Sequence, residues 1–254
     1  MLRAVNAAII LFLLAPIIVV VATAFTTTGY PVFPPRGLTL RWFEKFLTTP
    51  EFLEATRLSA VLAAASAAVA AALGTLSGFA LTRYRIPGKA AVSGLLLSPI
   101  LFPAVVLGLA LLVFYKKIGL DGTFAGLVAA HAVLTAPFVI RLVIASLSQY
   151  DPAIEDAARN LGAGWWRTFL VVTLPLIRPG VLAGAVFAFI LSFDELVVTL
   201  FLSGPGLQTL PIRIYTYVEY SSEPTISAIS AVLILAWTVI GLPVYARFLS
   251  IRHR

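Results

Sequence analysis

The 254 residues are 60% hydrophobic and only 11% charged, with a formal net charge of +7 and a mean hydropathy of +1.01. A soluble domain usually carries about 25% charged residues, so this composition excludes an ordinary soluble protein and favours a membrane protein. Cysteine is absent from the chain, which excludes disulfides and thiolate metal sites.

Six apolar segments are long enough to cross a membrane, because a spanning helix needs about 20 mainly apolar residues. They are residues 5–26, 57–81, 91–114, 123–144, 180–202 and 226–248. The first segment is too long for the apolar part of a signal peptide and has no clear cleavage site, so we expect it to be retained. The predicted fold is an all-α membrane protein with six transmembrane helices in a single domain, residues 1–254.

The basic residues are divided unevenly between the two sides of this six-helix arrangement. Eleven Lys and Arg residues fall on the side of the termini and seven on the other side. Under the positive-inside rule, both termini are therefore expected to be cytoplasmic. Topology accounts for the excess of positive charge, and we expect no nucleic acid partner.

Two polar stretches are predicted on the external side. Residues 29–56 contain a short amphipathic helix suited to the membrane interface, with one face formed by Trp42, Phe43, Phe46 and Leu47. The loop 207–224 combines several tyrosines with charged residues: Arg213, Tyr215, Tyr217, Glu219, Tyr220 and Glu223. Such a composition fits a protein interface and an aromatic belt at the lipid headgroups equally well.

Residues 145–179 are predicted to form a long cytoplasmic loop that contains a helix at 152–161. Asp151 is a suitable N-cap with Pro152 at the first helical position, and Gly162 is suited to end the helix. Two acids near the helix start, Glu155 and Asp156, favour the helix dipole. One apolar stripe runs along the helix and would fit a groove on a partner or on its own domain: Ile154, Ala157, Ala158 and Leu161.

The order of residues in this loop resembles a known signature. Asp156-Ala157-Ala158 is followed by Gly162 and, after nine residues, by Val172-Thr173-Leu174-Pro175. This series resembles the EAA-x3-G-x9-I-x-L-P loop of ABC-importer permeases, with Asp for Glu and Val for Ile. The stretches 191–199, 203–206 and 209–211 are similar to the spermidine/putrescine branch, and the resemblance extends over essentially the whole chain.

The resemblance implies a type I ABC-importer permease fold in the bacterial inner membrane. It implies four kinds of partner: an ABC ATPase dimer, a second permease subunit expected to be a homologous heterodimer partner, a periplasmic solute-binding protein and the lipid bilayer. ATP and Mg would be bound by the ATPase subunits, because the chain lacks a G-x4-G-K-[ST] loop and is not expected to be an enzyme. The residues implied in ATPase coupling are Ile154, Glu155, Asp156, Ala157, Ala158, Leu161, Gly162, Leu174 and Pro175.

Two acids, Asp194 and Glu195, lie inside the predicted span 180–202. An ionised group in a membrane costs at least a few kcal/mol unless it faces protein or water, so the pair is either a cation path or a structural pair. The resemblance implies a path for a cationic solute such as spermidine or putrescine. His131 in the fourth predicted span lies at a similar depth and is a candidate partner of the acids. The other candidate path residues are Ser192, Phe193 and Thr199.

Two alternatives remain open at this point. The solute could be of another kind, such as an opine, an amino-acid derivative, thiamine or iron. A stand-alone secondary transporter that uses Asp194 and Glu195 as a proton or cation relay is the alternative of a different class, and it would run on an ion gradient without an ATPase.

Overall fold

The computed structural model describes residues 2–252, with side chains for residues 2, 3 and 5–241. Its described residues form helices and the segments that connect them, so the predicted all-α class is confirmed. A 3-10 turn is present at Ser98–Ile100, and a π-helical turn is present at Phe169–Thr173. The α-helices are α1 (Leu2–Thr23), α2 (Arg41–Thr48), α3 (Pro50–Arg83), α4 (Lys89–Leu97), α5 (Ala104–Ile118), α6 (Phe124–Leu147), α7 (Ala153–Asn160), α8 (Trp165–Thr168), α9 (Leu174–Phe193), α10 (Val197–Leu202), α11 (Leu210–Tyr220) and α12 (Thr225–Arg252).

Four helical segments in the described part of the chain are long and apolar enough to cross a membrane. They are Val5–Thr23, Pro50–Arg83, Phe124–Leu147 and Trp165–Phe193. The bent pair α4 and α5 gives a fifth candidate, and Thr225–Gly241 in α12 is a shorter apolar helix. The count of six transmembrane helices and the cytoplasmic termini therefore stay predictions.

The third predicted span, residues 91–114, is not one straight helix. It is divided between α4 and α5, which are bent by 103° at the break. Pro103 precedes α5 with an extended backbone, φ −56° and ψ 135°. Proline has no N–H to continue a helix, and it disfavours helical geometry at the residue before it, which explains the break after Ile100.

The fifth predicted span, residues 180–202, differs at both ends. The sequence predicts that the span starts at residue 180, but the helical run begins at Trp165 and continues to Phe193. Pro175 lies just after the π-helical turn Phe169–Thr173 and Pro179 lies inside α9, so neither proline ends the helical run. At the other end, the helix is interrupted at residues 194–196 before α10 begins.

The contacts divide the chain into two compact units, and the single-domain prediction is not tested by this division. One unit comprises residues 58–211 and 244–254, and the other comprises residues 1–57 and 212–243. In the larger unit, α3, α6 and α9 approach closely through glycines. A Cβ atom added at Gly74 would lie 2.7 Å from the Val139 Cβ, and one at Gly180 would lie 2.6 Å from the Ser146 Cβ. Small residues permit such close helix packing in membranes.

In the smaller unit, the predicted amphipathic helix is present as α2. Trp42 and Phe46 are buried, and the Trp42 indole N–H donates to the Thr26 carbonyl oxygen at 2.8 Å. The predicted loop 207–224 is wrong in part, because Leu210–Tyr220 is a helix. Glu223, just after this helix, accepts hydrogen bonds from the Lys45 ammonium and, at 2.8 Å, from the Tyr217 hydroxyl.

This ion pair predicts a pH dependence of stability. The Lys45 ammonium, and after it the Tyr217 hydroxyl, lower the pKa of Glu223 below its ordinary value of 4.5. The Glu223 carboxylate raises the pKa of Lys45 above 10.5. The stabilisation is therefore fully present between these two ordinary values. It is lost as pH falls through the lowered pKa of Glu223 or rises through the raised pKa of Lys45.

We expect Glu223→Gln to lower the free energy of unfolding by less than about 1 kcal/mol near pH 7, since solvent screens the partly exposed pair. Thermal unfolding of the mutant and the wild type should converge as pH falls below 4.5. Glu44→Gln replaces an exposed acid on α2 and is the matched control. Its thermal unfolding should not differ from that of the wild type by a pH-dependent amount. A difference between Glu223→Gln and the wild type that stays constant into acid would contradict the ion pair.

A second prediction concerns the side of the membrane on which each loop lies. The cysteine-free chain allows single cysteines to be introduced at exposed or half-buried positions. Lys89→Cys and Ala163→Cys should react with an impermeant maleimide only from the cytoplasm, and Gln208→Cys only from outside. Reaction of Ala163→Cys from outside would reverse the predicted orientation.

Candidate coupling surface and solute path

The predicted coupling helix is present as α7, one residue shorter at each end than expected. Asp151 caps its start, because one carboxylate oxygen accepts from the Ala153 backbone N–H at 2.9 Å. Gly162 ends it in the left-handed conformation with φ +88°. The Gly162 N–H bonds the Arg159 carbonyl at 2.9 Å, and the Ala163 N–H bonds the Ala158 carbonyl at 3.1 Å. These two bonds are those of a Schellman motif, so the role expected for Gly162 in ending the helix is confirmed.

A buried ion pair attaches α7 to the end of α3. Glu155 is only 3% exposed, and its Oε1 accepts from the Arg83 Nε at 3.0 Å. Arg159 approaches the other carboxylate oxygen at 3.8 Å from the exposed side of α7. Removing one member of a buried pair leaves an uncompensated charge and is strongly destabilising. Glu155, which the resemblance places among the coupling residues, is therefore turned inward and attaches α7 to its own unit.

Most of the remaining predicted coupling residues lie on the open side of α7. Leu161 is 89% exposed and Ile154 is 43% exposed, which is unusual for large apolar side chains next to a packed core. Asp156 and Ala157 are also exposed, whereas Ala158 is half-buried. An exposed apolar patch with a charged rim is typical of a protein-protein contact. Leu174 is set apart from this surface, since it packs against the core of the larger unit, and Pro175 is exposed.

An aromatic cluster holds the segment that follows Gly162. Trp165 donates its indole N–H to the Tyr84 hydroxyl, and its ring stacks on Phe169 with centroids 6.0 Å apart. Phe79 of α3 meets Phe169 edge-on, with centroids 5.0 Å apart. Arg83 is the last residue of α3, and Tyr84 follows it directly. The coupling loop is thus fixed to α3 by one ion pair and one aromatic cluster.

The acidic pair lies at the interruption between α9 and α10, and not inside a continuous helix as predicted. Asp194 follows the last residue of α9 and its side chain is exposed, while Glu195 is half-buried. Glu195 Oε1 accepts from the Val198 backbone N–H at 2.8 Å, so this carboxylate caps the start of α10. A negative group at a helix start is favoured by the unpaired N–H groups and the helix dipole.

His131 does not pair with these acids, which corrects the expected partnership. It is fully buried, and its two ring nitrogens lie 2.8 Å from the Ser192 hydroxyl and 2.9 Å from the Thr199 hydroxyl. Ser192, Phe193 and Thr199 are buried as well. Of the predicted path residues, Asp194 and, in part, Glu195 are therefore accessible, and the others form the supporting structure.

Sequence reasoning missed Arg83 as a support of the coupling helix. The sequence gives Arg83 no role beyond its share in the uneven distribution of basic residues, because its partner Glu155 is distant in sequence. The available signal was an acid on a predicted amphipathic helix, placed between apolar residues Ile154 and Ala158. A buried acid requires a partner, so its position indicated that a cation had to be found among the neighbouring loops.

The long apolar helices, the glycine-packed helix pairs and the exposed, capped helix α7 are those of a membrane protein with a surface open to a partner. Residues 3–250 match the family described as the binding-protein-dependent transport system inner membrane component. The chain belongs to this family. It is accordingly a multi-pass protein of the inner membrane, as the sequence predicted.

Two curated relatives are similar over nearly the whole chain. The spermidine/putrescine transport system permease protein PotC of Escherichia coli K12 is 33% identical over 228 residues, 90% of this chain and 86% of the relative. The putrescine transport system permease protein PotI of the same organism is 32% identical over 237 residues, 91% and 84% of the two chains. The molybdenum transport system permease protein ModB, also from Escherichia coli K12, is 34% identical over 77% of this chain and 92% of its own length.

Solved structures share the fold at lower sequence identity. A chain of a bacterial ABC transporter involved in the import of the acidic polysaccharide alginate has a TM-score of 0.74 and 17% identity, over 97% of this chain and 95% of that one. A chain of the MetNI methionine ABC transporter in an inward-facing conformation has a TM-score of 0.61 and 19% identity, over 76% and 93%. These likenesses establish the ABC-importer permease fold.

Proposed function

We propose that this chain is the transmembrane permease subunit of an ATP-driven importer for a small cationic solute of the polyamine class, such as spermidine or putrescine. The observation that carries the solute class is the placement of Asp194 and Glu195 at a helix interruption in a chain one-third identical to PotC. Carboxylates at this point can accept hydrogen bonds from an ammonium group and balance its positive charge. An anionic solute would be repelled there.

The partners follow from the surfaces that the larger unit presents. The exposed face of α7, with Ile154, Ala157 and Leu161, would dock into a groove of an ABC ATPase subunit. The ATPase dimer would bind ATP and Mg, because the chain has no G-x4-G-K-[ST] loop of its own and acts as a transport subunit without an enzymatic site. A second permease subunit would complete the membrane pathway, and a periplasmic binding protein would deliver the solute.

The path from the ATPase to the membrane runs through the contacts of α7. When the ATPase subunits close on ATP, they displace α7 together with its Schellman turn. The Arg83–Glu155 pair and the Tyr84–Trp165 hydrogen bond pass this displacement to α3, and the helical run from Trp165 passes it to α9. Alternating access then results from the movement of packed helices past one another.

A second candidate within the same class is an importer for another solute. ModB, named for molybdenum transport, is as similar in identity as PotC over a shorter part of the chain. The two solute classes differ in charge, so the acids at the interruption discriminate between them. Opine, amino-acid derivative, thiamine and iron permeases are alternatives of the same kind.

Uptake by the reconstituted complex tests this proposal. The chain, purified with its natural permease, ATPase and binding-protein partners in proteoliposomes, should import labelled spermidine or putrescine when ATP is supplied on the ATPase side. Excess unlabelled polyamine should compete, and molybdate should not. Import of molybdate with no uptake or competition by polyamines would reject the cationic assignment.

A further inference from the structure

The interruption between α9 and α10 is bridged by one side chain from a different helix. His131 of α6 contacts Ser192, which precedes the interruption, and Thr199, which follows it. The three side chains are at most 2% exposed. Since residues 194–196 are not helical, no continuous helical hydrogen-bond ladder joins α9 to α10 at this point.

The hydrogen-bond directions in this cluster are fixed by its end. The Thr199 hydroxyl has one proton, which it donates to the Glu195 carbonyl oxygen at 2.9 Å. It must therefore accept from the His131 Nε2–H, at 2.9 Å. For a neutral imidazole, the form that full burial favours, Nδ1 then carries the lone pair and accepts from the Ser192 hydroxyl, at 2.8 Å. Both ring nitrogens are then used within this cluster, and neither is left to bind a solute.

The chain of bonds ends next to the two acids. Thr199 holds the carbonyl of Glu195, whose carboxylate caps α10. Asp194 is the residue between this cap and the buried Phe193. Any change in the angle between α9 and α10 therefore moves the Asp194 carboxylate directly.

We propose that His131 is a positioning residue, which braces the interruption between α9 and α10 and so sets the position of Asp194 in the solute path. This proposal rests on the proposed function for its transport consequences, but the brace itself is a property of the chain. His131 does not contact the solute. It acts through the Ser192 and Thr199 hydroxyls on the two helices that they belong to.

Three variants and one control test the brace. Thr199→Val and Ser192→Ala each remove one hydroxyl of the bridge with little change in volume, and His131→Phe removes both bonds. Thr135→Val is the matched control, because Thr135 is buried on the same helix and bonds only the His131 backbone carbonyl, at 2.8 Å. All four are assayed in the complete complex.

The brace predicts a change in KM that packing alone does not. A hydrogen bond between membrane helices is worth about 0.6 kcal/mol on average, so Thr199→Val or Ser192→Ala should raise the KM for polyamine uptake about threefold. His131→Phe combined with Thr199→Val should be no worse than His131→Phe alone, since the two share one bond. Thr135→Val should leave KM unchanged. A KM unaltered in Thr199→Val and Ser192→Ala, whatever their thermal stability, would overturn the proposal.

A distance measurement tests, without a transport assay, whether His131 holds α9 and α10 in a fixed arrangement. Spin labels at Phe187 of α9 and Leu200 of α10, both exposed, span the interruption in the cysteine-free chain. Thr199→Val should broaden or shift the distance distribution, and Thr135→Val should not. An identical distribution in both variants and the wild type would overturn the brace. If wild-type complex imports no polyamine, the proposed function fails, while these distances still decide whether His131 braces the helices.

Discussion

Gly162→Asp is expected to abolish transport while leaving the protein inserted and folded. Gly162 has φ +88°, a conformation that costs a side-chain-bearing residue roughly 1–2 kcal/mol. A negative charge at the end of α7 is also unfavourable with the helix dipole. A Cβ at this position has nothing within 4 Å to clash with, so the effect falls on the turn and on the direction of Leu161, and the core is left intact.

The measurement is solute uptake together with ATP hydrolysis in the reconstituted complex. We expect uptake to fall by at least about tenfold and hydrolysis to lose its response to the loaded binding protein, because a misdirected Leu161 no longer fits the ATPase groove. Gly164→Ala is the control, since this glycine is exposed, has φ −66° and tolerates a Cβ. Normal coupled transport by Gly162→Asp would contradict the proposed role of this loop in coupling.

Asp194→Asn is expected to raise the KM for a polycation by about tenfold with assembly unchanged. A hydrogen bond to a charged group contributes about 1.5–3 kcal/mol, and a tenfold change in affinity corresponds to about 1.4 kcal/mol. Asparagine keeps the size of the side chain and removes the charge. Thermal unfolding of the purified complex is measured alongside uptake, so that a change in assembly is distinguished from a change in KM.

Glu195→Gln distinguishes the role of Glu195 from that of Asp194. Its amide oxygen can still accept from the Val198 N–H, which Glu195 now caps at 2.8 Å, so we expect a smaller effect on KM than from Asp194→Asn. Uptake is measured over a range of spermidine concentrations, with ATPase stimulation as the check on coupling. Full uptake of spermidine by the double mutant Asp194→Asn/Glu195→Gln would eliminate the acids from the solute path.

The coupling helix was predictable because its ends have local chemistry. Asp151, Pro152 and Gly162 each act on backbone groups within a few residues, and the structure places the helix within one residue of the predicted ends. The small-residue face of α9 was also predictable, because it is a periodic pattern within one helix. Gly180 and Gly184 recur at helical spacing, and both are buried against α6.

The two helix interruptions show what sequence patterns alone do not predict. The bend before α5 had a sequence signal in Pro99 and Pro103, which apolar length alone concealed. The interruption at residues 194–196 has no proline or glycine. Glu195 caps the helix that follows it, and His131, more than 60 positions from Ser192, is hydrogen-bonded to residues on both sides of the interruption. Such tertiary contacts, like the Arg83–Glu155 pair, are set by helix packing and leave no periodic pattern in one sequence.

The energy source of transport tests the central claim most directly. Proteoliposomes containing the complete complex, with the loaded binding protein inside or outside as orientation requires, are given either ATP or an imposed ion gradient. An ATP-driven permease subunit predicts uptake that requires ATP and the ATPase, persists when ionophores collapse every gradient, and is lost in Gly162→Asp. Uptake by this chain alone, driven by an ion gradient without ATP or the ATPase, would contradict the account and indicate a secondary transporter.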